Sequence, residues 1–564
     1  MRDTASLLLE ASLLKVLLFG EPGESDQSAD ATVFQQNEDR ILSVLSDISA
    51  AAQVSAENQD ALGSVECIRF ITKVLDSGHS SKAVLHTGLK AWMKLCRRFT
   101  LQKNTTSVQN CDISEIHMIT LVPLMRKHTD DEVIMLYGCS MVMILASDSD
   151  MRQMKFGLIG TSKVVITALE KHIDQPEVAE MALRATRNLS VNDTNANQLC
   201  EQQVGIPLVS LLTYPTHPRQ VMEATLYAII NLSYNNDNAL ILGGNDMCFA
   251  LMRAWEIWKD ATPSLNHEFL WCVRNLSTID SHVEQFATTS IVDLVFNSMR
   301  GTVESDVIQT ALWAVANLCC NVGMAQKCVD MGLINLMNCV YQIGCDNFPE
   351  DVDLGPVSEA ICFTLFNIAS TLCADIPDHS PEEHEIARAK HASIKEMLAQ
   401  HGSCLLVSKI FDRYTSREAM TELCARVTYI LAEHCVHNKH VLTSHGIVQT
   451  LCAATGHHSQ IPETVFYVWR ALLTVCSQEN EEGRIWLGGQ SEFLGLLART
   501  LKQHEQVEEV VILGCSLLLL LPSYTGEKRL ELLAGQFIDE QGRIVVKEDR
   551  EEMWKVWGVD SHLL

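Results

Sequence analysis

An asparagine recurs inside apolar, helix-forming runs at positions 188, 231, 275, 317 and 367, in steps of 43, 44, 42 and 50 residues. The runs are ALRATRNLSVN, TLYAIINLSYN, FLWCVRNLST, ALWAVANLCCN and FTLFNIAS. Asparagine is a poor helix former, because its amide competes for backbone hydrogen bonds. Its return at the same place in similar runs therefore marks a repeating unit. A period of roughly 40–47 residues with helical content is the mark of a solenoid, in which each unit buries its apolar side against the next. At ordinary domain size, a chain of 564 residues would hold three or four globular domains. The repeat predicts a single array instead.

A second pattern follows each asparagine run. A polar stretch leads to a short helix, a glycine and a longer apolar helix, as in NANQLCEQQVGIPLVSLLTY, MAQKCVDMGLINLMNCVYQ, NKHVLTSHGIVQTLCAAT and EGRIWLGGQSEFLGLLART. Glycine tolerates left-handed backbone angles, so it is expected to end the short helix and turn the chain. Weaker copies, MRQMKFGLIGTSKVVITALEKH and ENQDALGSVECIRFITKVLDS, carry the glycine step towards the start. LKAWMKLCRRF, YGCSMVMILAS, RVTYILAEHC, VWRALLTVCSQ and VILGCSLLLLLPS read as further third helices. The count is about ten or eleven units between residues 36 and 522.

Short helix, glycine, second helix, third helix resembles the armadillo unit of β-catenin and importin-α. The resemblance implies an all-α fold, a right-handed armadillo/HEAT-type α-solenoid of three-helix repeats whose third helices line a groove. The expected organisation is an amphipathic helix and acidic linker over 1–36, a solenoid over 37–522 with an insertion at 374–396, and a tail over 523–564. The insertion, ADIPDHSPEEHEIARAKHASIKE, starts as an acidic loop and ends helical. In the tail, FIDEQGRIVV suggests a hairpin at Gln541-Gly542, and EDREEMWKVWG a short helix carrying Trp554 and Trp557.

Residues four apart share a helix face. Four positions before each asparagine stand Arg184, Tyr227, Trp271, Trp313 and Phe363, and eight before stand Glu180, Glu223, His267, Gln309 and Glu359. The candidate site is this column, with Asn188, Asn231, Asn275, Asn317 and Asn367. Its chemistry suits an extended peptide. Amides offer donor and acceptor to a backbone with no strand partner. Aromatic faces stack on Lys or Arg side chains, and glutamates meet basic groups. Importin-α resembles this arrangement, with Trp and Asn at the same spacing gripping basic peptides. Here residues 1–40 are acidic and apolar rather than basic, and only two of the five pairs carry Trp. Repeat packing is the competing role for the same residues. In the C-terminal units the column is expected to lapse, since Trp469 is followed four later by Leu473.

Net charge is −27, which disfavours nucleic acid and anionic membrane and favours basic protein segments. The 20 cysteines lie in apolar runs without metal-ligand spacing, which predicts buried thiols, no metal and a reducing, cytoplasmic setting, with nuclear or ciliary placement as variants. The sequons at Asn188, Asn231 and Asn275 fall in helices and are expected to be unglycosylated. The apolar N-terminus is broken by Glu10 and Lys15 and lacks the pattern of a signal peptide or membrane span. No phosphate loop, zinc-protease or nucleophile-elbow motif occurs. His379, His384 and His391 read as a solvated loop rather than a metal site. The expectation is a non-enzymatic scaffold or adaptor that binds an extended, basic peptide segment, without cofactor or small-molecule ligand. A structural subunit of a cytoskeletal or ciliary assembly and a chaperone-like regulator are the alternatives.

Overall fold

A computed structural model describes residues 3–19, 31–96, 108–147, 149–214, 216–260, 262–300, 302, 304–347, 353–374 and 381–520. The expected hairpin and helix of the tail, and His379, lie outside them. The described residues form 32 α-helices and one 3₁₀ turn, with no strand among them. They fall into two compact units, Met1–Thr289 and Ser290–Leu564.

Each unit is a stack of three-helix repeats. In the first, the third helices are Glu38–Val54, Lys82–Cys96, Glu132–Ala146, Pro176–Leu189, Arg219–Leu232 and Asn266–Leu276. Each packs on the next. In the second they are Ser305–Leu318, Gly355–Leu372, Glu418–Ala432, Pro462–Val475 and Glu508–Leu520, again each on the next. The core is aliphatic with few large rings. Trp92, Trp255 and Trp469 are fully buried within it. Small buried residues such as Ala182, Ala185, Ala311, Ala314 and Thr186 let neighbouring third helices approach closely. Among the described residues no helix is long and apolar enough to cross a membrane.

The helix breaks follow from local chemistry. The tail of each NLSxN run does two jobs. Asn188 lies in the last turn of one third helix, and Asn192 caps the next first helix by accepting from the Asn195 amide. Asn235 and Asn321 cap in the same way. The left-handed residue between first and second helices is glycine at Gly160, Gly332, Gly402 and Gly446. Elsewhere the expectation fails: Gly63 and Gly489 end their short helices at φ −75° and −78°. Gly205 is helical and Gln203 takes the positive angle, as does Asp246 one repeat later. Where this turn takes a left-handed residue other than glycine, a side chain ending in an amide or carboxyl tolerates it at some strain.

Two other glycines are fixed by close approach. A methyl on Gly157 would lie 1.9 Å from Asn195 Oδ1, and one on Gly243 1.9 Å from His282 Nε2. Both neighbours belong to the next repeat's first helix.

The Thr4–Phe19 helix buries Leu7, Ala11, Leu14 and Leu18 against the Glu38–Val54 and Val65–Asp76 helices, while Leu9, Leu13 and Leu17 are exposed. Ala31–Gln36, inside the expected linker, is a short helix that buries Phe34. The helical part of the insertion, Pro381–Gln400, takes the place of a first helix. His391 is buried on it, so the expectation of a solvated loop fails there: its face is covered by the neighbouring helices.

Candidate functional site

In the Met1–Thr289 unit, the predicted asparagines share one geometry. Asn188 Nδ2 donates to Met143 O at 2.8 Å, Asn231 Nδ2 to Arg187 O at 3.1 Å, and Asn275 Nδ2 to Ile230 O at 3.1 Å. Every acceptor is a carbonyl in the last turn of the preceding third helix, where intrahelical partners run out. Each amide thus closes one helix end and links two repeats. Asn275 also reaches Ser233 Oγ at 3.3 Å. The sequon asparagines therefore have their nitrogens engaged in helices.

The other half of each amide stays open. A carbonyl partner can only accept, so Nδ2 faces inward and Oδ1 outward. The Oδ1 atoms of Asn188, Asn231 and Asn275 have no partner among the described residues, and the three side chains are half-buried. The unit carries a row of oriented acceptors, one per repeat. This narrows the sequence expectation, which gave each amide both functions.

The aromatic positions also differ from expectation. Their faces meet the chain's own arginines: Arg187 lies 4.4 Å from the Tyr227 ring centre and Arg274 4.5 Å from that of Trp271. Tyr227 donates to Glu268 at 3.3 Å, and burial next to that carboxylate raises its pKa. Trp271 Nε1 donates to His267 Nε2 at 3.0 Å, joining two column positions. Glu180 pairs with Arg184 at 2.9 Å, and Glu223 lies 3.9 Å from Arg219. These are exposed pairs within one helix, worth about 0.3–0.5 kcal/mol each. They hold the glutamates without neutralising the surface fully. A depression of about 330 Å³ opens beside Glu180, lined by Met93, Tyr137, Met143 and Met181.

In the Ser290–Leu564 unit, Asn367 Nδ2 donates to Ala316 O at 2.8 Å, again a last-turn carbonyl. The Trp313 and Phe363 ring centres lie 5.0 Å apart, tilted by 43°, across neighbouring third helices. Asn317 and Glu359 are half-buried on the same helices.

Further along, the half-buried column runs one residue later than the pairing of Trp469 with Leu473. Trp469 is fully buried, and the position equivalent to Trp313 is Arg470, flanked by buried Val468, Trp469, Ala471 and Leu472. Likewise Arg426 stands on the Glu418–Ala432 helix, and Ile430 and Thr474 replace the asparagine. The spacing i, i+4 holds in both registers, so only burial separates them. Arg426 lies 4.6 Å from the Phe366 ring centre and 5.6 Å from that of Tyr467. Arg470 lies 4.1 Å from the Tyr429 ring centre.

Sequence reasoning missed a second, buried ladder on the first helices. Asn195 Nδ2 donates to Gln153 O and Leu189 O, Asn438 to Lys395 O and Leu431 O, and Asn480 to Lys439 O and Val475 O. The signal is an asparagine five to seven residues after the third-helix residue whose carbonyl it binds, in NDTN, HNK and QEN. Two lysines join it: Lys395, 2% exposed, donates to Glu433 O, and Lys439, 5% exposed, to Ser477 and Glu479. The cations sit at third-helix C-termini, where the helix dipole favours them.

Buried thiols carry no catalytic signature. Burial pushes Cys139 and Cys476 up to about 12, far from the reactive thiolate range. Among the described residues no group of three His, Cys, Asp or Glu could hold a metal.

A search of solved structures finds an engineered protein of known crystal structure with a TM-score of 0.61 at 17% identity, over 85% of this chain and all of that one. The three-helix unit and this likeness settle the architecture. The fold is an armadillo-type α-solenoid. A designed armadillo repeat protein matches at a TM-score of 0.37 and 16% identity, over 49% of this chain and all of that one, too low to add to the assignment. No family model matches the chain, and no curated protein does.

Proposed function

We propose that this armadillo-type chain is a non-enzymatic interaction scaffold that binds an extended protein segment across the third helices of its Met1–Thr289 unit. The observation that carries the reading is the row of outward Oδ1 acceptors on Asn188, Asn231 and Asn275, each fixed by its own Nδ2 bond. A segment with no strand partner presents backbone N–H groups, and an unpaired N–H is costly to bury. The row satisfies them at repeat spacing without any change in the scaffold. Basic side chains of the segment meet Glu180 and Glu223, and an apolar one enters the Met93–Met143–Met181 depression, where methionines adapt in shape. The net charge of −27 favours such a partner over nucleic acid or anionic lipid. Buried thiols suit a reducing compartment, and we place the protein in the cytoplasm.

The test is a library of extended peptides screened against the purified chain, followed by backbone N-methylation of the best binder at each position. N-methylation on alternate residues should weaken binding about tenfold per lost bond, and Asn231→Leu/Asn275→Leu should bind weakly while keeping its helical circular dichroism. Binding indifferent to N-methylation would sink the reading.

A further inference from the structure

The last third helices of the Ser290–Leu564 unit hold a different kind of site. Arg426, on Glu418–Ala432, is half-buried between the rings of Phe366 and Tyr467. Stacking uses the faces of a guanidinium and leaves its in-plane N–H donors free. Arg426 has no hydrogen-bond or ion-pair partner among the described residues, although five donors need acceptors. Arg470, one repeat later, stacks on Tyr429 and makes a single hydrogen bond, from Nη2 to the Tyr429 hydroxyl at 2.8 Å. That hydroxyl in turn donates to Glu433.

The nearby acids are engaged elsewhere. Glu422 accepts from Thr464 Oγ1 at 2.9 Å. Glu433 lies 3.6 Å from the buried Lys395 ammonium and holds Tyr429. Neither carboxylate is in ion-pair reach of Arg426 or Arg470. The two arginines border a depression of about 290 Å³, whose remaining walls are Phe366, Tyr429, Ile430, Phe466 and Tyr467. In a chain of net charge −27, the recess places two arginines among aromatic rings with no carboxylate in direct ion-pair contact among the described residues, Glu433 reaching Arg470 only through the Tyr429 hydroxyl.

We propose that this recess is a carboxylate-reading subsite, occupied by an Asp or Glu side chain of an extended partner segment. The inference rests on the reading that third helices of this fold bind extended segments. Charge complementarity names the occupant. A planar guanidinium matches a carboxylate with two parallel hydrogen bonds, and the flanking rings, 4.6 and 5.6 Å away, confine it beforehand. Neighbouring third helices lie about 8–10 Å apart, and alternate residues of an extended chain about 6.6 Å apart. Acidic side chains at positions i and i+2 therefore reach Arg426 and Arg470 together. The apolar walls suit a carboxylate on a hydrocarbon stem better than a doubly charged phosphate, which calls for more cations than two.

The experiment is a positional-scanning peptide library with Glu, Gln, Lys or phosphoserine fixed at each position, bound to the wild-type chain and to Arg426→Gln and Arg426→Lys. The expected result is a Glu-over-Gln preference of about tenfold at one position, the size of a charge-assisted hydrogen bond. Arg426→Gln should abolish it, and Arg426→Lys should leave a weaker preference. Thermal melting keeps the comparison to folded protein. Peptides that bind with no Glu preference, or with one that survives Arg426→Gln, would overturn the subsite while leaving the scaffold reading intact. A preference for phosphoserine over Glu would overturn the carboxylate assignment. Failure of every pool to bind would overturn both.

Discussion

Asn231 and Ile430 stand at equivalent places on their third helices, each followed by a buried leucine, Leu232 and Leu431. Asn231 closes the end of the preceding helix through Arg187 O. Ile430 does nothing of the kind. There Lys395 takes Glu433 O at the end of a third helix, while Asn438 takes Leu431 O just as Asn195 takes Leu189 O in the first unit. The contrast teaches that helix ends must be satisfied, while the residue that satisfies them can move between helices. Where the third-helix asparagine is relieved of that duty, its face is free to carry another chemistry. The open amide oxygens of the first unit give way to stacked arginines in the second.

The largest effect should come from the ladder that both regions share. Asn480 is fully buried, its amide nitrogen meets Lys439 O, Val475 O and Thr443 Oγ1, and its oxygen caps the following helix. Asn480→Ala should cost about 3 kcal/mol, since it strands buried partners and removes a cap. Hydrogen exchange over residues 436–488 would report it, and a loss under 1 kcal/mol would deny the ladder its role.

Gly157→Ala should cost about 2 kcal/mol, because the new methyl collides with Asn195. Urea denaturation measures it. Recovery in the double variant Gly157→Ala/Asn195→Ala would show that the clash is with that amide.

Asn231→Ala should cost only about 1 kcal/mol, since its carbonyl partner is within reach of water. If Asn231→Ala proves as damaging as Asn480→Ala, the division between a buried staple and a half-open one fails.

His282 replaces the ladder asparagine in its unit. Burial holds its pKa below the ordinary 6.5, so the folded state resists protonation. The sign follows: its contribution is fully present above pH 6.5 and is lost as pH falls below that value towards the folded pKa. Urea denaturation at pH 7.5 and 5.5 should show a smaller acid-induced loss for His282→Asn than for wild type. Equal losses would remove His282 from the account.

The smallest effect is expected at Arg426, whose replacement by Gln should shift stability within about 0.5 kcal/mol. A larger loss would make the stacked arginine part of the repeat packing rather than a free cation.

The period, the third helices and the column of Asn188, Asn231, Asn275 and Asn367 were legible in the sequence, because a helix forces residues four apart onto one face and stacking forces equal units to equal lengths. The same rule could not choose between Trp469 and Arg470. Both fit helical spacing, and which one faces the core depends on the helix packed beside it. Nor could it tell that the Tyr227 ring is covered by Arg187, which comes from another repeat. The division of each amide into an inward nitrogen and an outward oxygen was likewise a tertiary decision. It depends on a helix end some 44 residues away, brought close only by stacking. Local periodicity is a property of one chain segment and can be read there. The partner of a polar group is a property of two segments, and only the fold brings them together.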